Sequence, residues 1–163
     1  MTQTGRVETF NPAIRKVATA VGAVFLLVGI SGFMPGLTTS YGEMSFAGPE
    51  SDAMLLGLFQ VSILHNVVHL LFGVAGLAMA RRADSARTYL IGGGVIYLGL
   101  WIYGLVVDKS SSANFVPVNN ADNWLHLGLG LGMIGLGVMA SRSTPRMNTS
   151  PGDTSRGPNP STG

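Results

Sequence analysis

Four stretches of the chain, residues 17–33, 55–80, 88–107 and 124–140, are mainly apolar and contain no Asp, Glu, Lys or Arg. Crossing the hydrocarbon core of a bilayer as a helix takes about 20 mainly apolar residues. A water-soluble helix of that length would need a polar face, and none of the four has a charged one. The pattern predicts an all-α fold, an integral membrane four-helix bundle occupying residues 17–141. Residues 1–16 precede it as a cytoplasmic segment, and residues 142–163 follow as a disordered tail rich in Ser, Thr, Pro, Gly and Asn. The first run has Arg15 and Lys16 before it, as a signal peptide would. It is long for one and no small-x-small cleavage site follows, so it reads as a retained anchor. Residues 35–53 form a long loop, with Tyr41, Met44 and Phe46, expected to fold over one end of the bundle.

Charge placement orients the spans. Nine of the ten basic residues lie in the N-terminal segment (Arg6, Arg15, Lys16), the loop between the second and third spans (Arg81, Arg82, Arg87) and the tail (Arg142, Arg146, Arg156). The other two loops hold only Lys109, together with Glu43, Glu50, Asp52, Asp108 and Asp122. Basic flanks stay cytoplasmic, so both termini are expected on the inside of a bacterial plasma membrane. Composition agrees: 47% of the 163 residues are apolar and 11% charged, where soluble domains carry roughly 25% charged residues. The chain has no cysteine, which removes disulfides and thiolate metal sites.

The spans look duplicated. Asn66-Val-Val-His69-Leu-Leu-Phe-Gly73 in the second and Asn123-Trp-Leu-His126-Leu-Gly-Leu-Gly130 in the fourth share the pattern N-x-x-H-L-x-x-G. Gly22 and Gly29 in the first span match Gly92 and Gly99 in the third by spacing. Two spans per unit would give two tandem hairpins inserted the same way up.

Polar residues inside the spans are the candidate chemistry. Ser62, His65, Asn66 and His69 fall on one helical face, which continues through Gly73, Gly76 and Ala80. Asn123, His126, Gly130 and Gly137 repeat it. Small residues let helices approach closely, so this face is expected to point inward and to bring Asn66/His69 near Asn123/His126. Gly128 and Gly132 form a GxxxG on a neighbouring face, and Asp122 stands as a carboxylate at the outer mouth. Asp84-Ser85 and Asn120 to Asp122 look like helix N-caps. Trp101, Tyr97, Tyr103 and Trp124 suit packing or interfacial roles.

The leading reading of the Asn/His patch is a hydrogen-bonded clamp between helices in a structural or interaction-type protein. One alternative is a metal or haem site using His65, His69 and His126, although no carboxylate in the spans could orient the imidazoles. Another is a quinone or small-ligand pocket, or a transport path. No cofactor is required by the sequence. No Ser/His/Asp set, paired carboxylates or phosphate loop is present, so no catalytic residue is assigned. Dispersed basic flanks argue against nucleic acid as a partner. The expected partners are the lipid bilayer and other membrane proteins or a second copy.

The segments Leu-Gly-Leu-Phe-Gln-Val-Ser-Ile-Leu-His65-Asn66-Val-Val-His69-Leu-Leu-Phe-Gly73, Ala86-Arg87-Thr-Tyr-Leu and Asn114-Phe-Val-Pro-Val-Asn119-Asn-Ala-Asp122-Asn-Trp-Leu-His126 resemble a bacterial membrane family, domain of unknown function 4383. The resemblance covers residues 17–140 and implies a four-helix bacterial inner-membrane protein. It implies no activity, substrate or catalytic residue. The likeness to small DoxX-like membrane proteins is one of helix count only.

Overall fold

The structure, a computed structural model, describes residues 13–140; the expectations for the N-terminal segment before Ala13 and for the tail after Ala140 lie outside them. Four helices carry the fold: α1 (Ala13–Ser31), α2 (Ile63–Met79), α3 (Ala83–Val106) and α4 (Asn120–Ala140). Between α1 and α2 lie three two-residue strands, β1 (Thr38–Thr39), β2 (Met54–Leu55) and β3 (Phe59–Gln60), and a single 3₁₀ turn at Tyr41–Glu43. The strands form one antiparallel sheet in the order β1-β2-β3, with Thr38 opposite Leu55 and Leu55 opposite Phe59.

The chain is therefore mainly helical, with one correction. The apolar run 55–80 is not a single helix, because residues 55–60 belong to the sheet and α2 starts only at Ile63. Leu56 and Gly57 take left-handed φ values of 55° and 68°. Two such residues in succession reverse the chain in a tight turn, and Leu58 N–H bonds back to the Leu55 carbonyl at 3.1 Å. Ser62 then caps α2, its hydroxyl accepting from His65 N–H at 3.1 Å. Ser45 and Phe46 of the long loop accept from Ile63 and Leu64 N–H at 3.1 and 2.9 Å. The loop thus covers this end of the bundle and satisfies donors that a helix start leaves unpaired. Asp84 and Ser85 lie inside α3 rather than before it, since Arg82 is its N-cap.

α1 packs chiefly on α2, and α3 on α4, each as an antiparallel hairpin joined to the other by residues 80–82. Glycines make the approach within each hairpin close. A Cβ on Gly22 would lie 3.0 Å from both the Gly73 carbonyl and the Leu77 nitrogen, and one on Gly94 would lie 2.8 and 3.0 Å from the Gly130 carbonyl and the Ile134 nitrogen. These are the same contacts after a shift of 72 positions in α1/α3 (22 to 94) and 57 in α2/α4 (73 to 130, 77 to 134). Gly73 meeting Leu26 and Gly130 meeting Leu98 obey the same two shifts. In the second hairpin Gly94 makes the contact that Gly22 makes in the first. Gly92 and Gly99, chosen by spacing, face open space.

The core runs along the bundle through Ile14, Phe25, Tyr89, Leu90, Tyr97 and Met133, and a smaller cluster under the sheet joins Ala53, Leu55 and Val61. The outward faces are equally apolar: Leu27 is 63% exposed and Leu71 64%. α1, α3 and α4 are long and apolar enough to cross a membrane, while α2, at 17 residues, is a shorter apolar helix.

Candidate functional site

α2 and α4 begin at the same end of the bundle, facing one another across the histidines, and their first turns are built alike. Asn119 precedes α4 as Ser62 precedes α2. Asn119 Oδ1 accepts from Asp122 N–H at 3.0 Å, and Asp122 Oδ2 accepts in return from Asn119 N–H at 2.9 Å. This reciprocal pair is a capping box, with the cap one residue earlier than the sequence suggested. Ser62, His65, Asn66 and His69 thus correspond to Asn119, Asp122, Asn123 and His126 by the shift of 57 positions.

Among the described residues, three bonds made by side chains cross between the halves, beside a backbone bond from Gly48 N–H to the Phe115 carbonyl at 2.7 Å. His65 Nδ1–H donates to the Pro117 carbonyl at 3.2 Å, and Gln60 N–H donates to Asp122 Oδ2 at 3.0 Å. Asn119 Nδ2 donates to the Leu58 carbonyl at 2.8 Å. Pro117 and Gln60 each stand two residues before a helix cap, so the first two ties mirror one another. His69 Nδ1–H donates to the His65 carbonyl at 3.0 Å. Carbonyl acceptors place the proton on Nδ1 of both rings, leaving Nε2 as an acceptor when the ring is neutral.

All seven polar candidates, Ser62 through His126, are buried. The His65 and His69 rings stack at 4.7 Å, Phe25 packs on His69 at 5.7 Å, and Tyr97 meets His126 edge-on at 5.3 Å. The asparagines behave differently from the expected clamp. The Asn66 amide fills the space where Gly32 lacks a side chain, and its one hydrogen bond is a long contact with Met44 Sδ at 3.8 Å. Asn123 fills the equivalent space at Gly104, and its Oδ1 is buried without a hydrogen-bond partner, as is His126 Nδ1. The side-chain ties between halves thus run through His65, Asp122 and Asn119 to backbone groups, not from Asn to His. Among the described residues no three of His, Asp or Glu are grouped so as to hold a metal ion.

Two cavities flank the histidines. The larger, about 300 Å³, lies between α2 and α3 and is closed above by residues 115–118. The smaller, about 120 Å³, lies between α4 and α1 beneath the sheet. His65, His69 and His126 line both and form the partition between them.

Of the glycines proposed for packing, Gly73, Gly76 and Gly130 are buried against neighbours, and Gly128 and Gly132 face open space. Sequence reasoning did not find Gln60, Pro117, Gly32 or Gly104. The 72-position shift would have paired the two glycines, but backbone acceptors and donors leave no side-chain signature. Outside the helices, Asp108 accepts from Ser110 Oγ at 2.7 Å and Ser110 N–H at 2.9 Å, and these bonds hold its carboxyl below the usual range.

These features define a four-helix protein with apolar outward faces, three of its helices suited to crossing a membrane. Over residues 15–139 the chain matches the model of the family described as domain of unknown function DUF4383, and it belongs to that family. No curated protein and no solved structure matches it.

Proposed function

We propose that the chain is a multi-pass bacterial inner-membrane protein with four crossings and cytoplasmic termini, built from two copies of one hairpin and serving a structural or interaction role rather than catalysis. The observation that carries this reading is the pair of mirrored ties, His65 to Pro117 and Asp122 to Gln60, set on contacts that recur at constant shifts. Recurring contacts at fixed shifts are what a duplicated unit leaves behind. The polar side chains of one half hold backbone groups of the other at one end of the bundle, which is structural work.

Membrane placement is supported by the outward Leu, Val and Ile residues and by charge. Arg15, Lys16, Arg81, Arg82 and Arg87 sit at the end where α1 and α3 start, and Glu43, Glu50, Asp52 and Asp108 at the other. α2 spans about 26 Å at 1.5 Å per residue, a few ångströms short of the roughly 30 Å core. The sheet and loop that satisfy its first turn make up the difference. Non-helical backbone is tolerated at that depth when its polar groups are paired within the protein.

Reporter fusions test the arrangement. A periplasm-active reporter fused after Gly48 is expected to be active and one after Asp84 inactive, with a cytoplasm-active reporter giving the reverse. Activity at both positions on one side would overturn the four-crossing reading.

A further inference from the structure

The two cavities beside the histidines are counterparts of one another. Val68 and His69 of the larger correspond to Leu125 and His126 of the smaller by the 57-position shift, and Val116 and Val118 correspond to Phe59 and Val61. Leu100 corresponds to Val28 by the 72-position shift. Yet one encloses about 300 Å³ and the other about 120 Å³. The difference has a visible cause. In the smaller, the ring of Phe59 stands where the larger has Val116, and β2 adds Leu55, with Leu56 at the rim. The loop over the larger cavity, between α3 and α4, has no such strands and offers only the strap 115–118.

We propose that the larger cavity binds the branched hydrocarbon end of an uncharged, isoprenoid-class membrane lipid, which enters sideways between α2 and α3. What narrows the counterpart space identifies the chemistry: branched Leu side chains, and an apolar ring in the place of Val116. The wall is made almost wholly of carbon, with Tyr97, Tyr103 and Phe115 adding ring faces and edges to the histidines. Such a wall gives a charged or strongly polar ligand nothing to replace its lost hydration. The volume is at the small end of the ligand-pocket range of about 300–1,000 Å³, suited to the end of a chain rather than a whole lipid. Access is lateral because two of the lining residues, Val68 and Phe115, are also exposed on the outer face, at 41% and 57%. The inference rests on the membrane reading above, since only a bilayer presents such a ligand at that face.

Photolabelling of the full chain in lipid nanodiscs tests it, using two probes. One is farnesol carrying a diazirine, and the other is phosphatidylethanolamine with a diazirine on a straight acyl chain. The farnesol probe is expected to label Val68, Leu100 and Phe115. Excess untagged farnesol should remove that labelling, and Leu100→Trp, which fills the cavity, should abolish it. The acyl probe should label outward residues such as Leu71, Val95 and Leu131. Where Leu100→Trp fails to fold by circular dichroism, Val116→Trp fills the same space from the strap. Farnesol labelling spread like that of the acyl probe, or unchanged by either tryptophan, would overturn the proposal. Equal cavity labelling by the acyl probe would overturn the preference for a branched chain. Absence of outward labelling by both probes would overturn the membrane reading as well, whereas outward labelling alone overturns only the cavity ligand.

Discussion

At the scale of single residues, the asparagines and the glycines facing them form matched pairs. Asn66 occupies the place of a Gly32 side chain, and Asn123 that of Gly104. Adding one methyl at Gly32 forces the buried amide out of its position, and overpacking of this kind costs about 1–3 kcal/mol. Gly32→Ala is expected to lower the melting temperature in detergent, and Gly104→Ala to do the same. A shorter partner should relieve the overlap, so Gly32→Ala combined with Asn66→Ser is expected to melt above Gly32→Ala alone. A double variant that melts at the sum of the two single losses would show that the pair does not interact. The N-x-x-H pattern made these asparagines visible in the sequence. It did not reveal their partners, because a glycine chosen for what it leaves empty looks like any of the 23 glycines in the chain.

Among the elements, the β2–β3 turn departs most from what hydropathy predicts. Leu55 to Val61 reads as the start of a span, and hydropathy cannot distinguish an apolar strand from an apolar helix. The deciding feature is local: Gly57 and its neighbour turn the chain in a left-handed conformation that a helix cannot contain. Leu56 takes that conformation at φ 55° while 68% exposed. For a residue with a Cβ, left-handed geometry costs roughly 1–2 kcal/mol, whereas Asn tolerates it through local hydrogen bonding. Leu56→Asn is therefore expected to raise the melting temperature in detergent by a few degrees, the equivalent of about 0.5–1 kcal/mol. A fall instead would mean that the contact of Leu56 at the rim of the smaller cavity outweighs the strain. The ends of α1, α2 and α3, at Ser31, Met79 and Val106, lie within two residues of the ends of the charge-free runs, but α1 and α3 start earlier than those runs, at Ala13 and Ala83, with Arg15, Lys16, Asp84 and Arg87 in their first two turns. α4 starts four residues earlier than its apolar run, at Asn120, since the capping box of Asn119 and Asp122 extends the helix through polar sequence.

For the molecule as a whole, the hairpins are intimate within themselves and meet more sparingly across the seams. The cavities lie at those seams, and the crossed bonds sit above them. His65 to Pro117 closes the α2–α3 side, and Asp122 to Gln60 the α4–α1 side. Each replaces a buried unpaired group that would cost about 1–3 kcal/mol, so His65→Ala and Asp122→Ala should each destabilise by that order. Their combination carries more information. The two bonds share no atoms, yet both hold one hairpin against the other. Once the first is lost the halves can separate at that end, and the second has less left to hold. The double variant is therefore expected to lose less than the sum of the single losses. Coupling of this kind in a double-mutant cycle typically amounts to about 0.5–3 kcal/mol. Thermal melts of the wild type, both single variants and the double variant in one detergent measure it. Strict additivity would mean that the ties act locally on their own helix starts, and that the apolar contact between hairpins is sufficient to keep the two halves together.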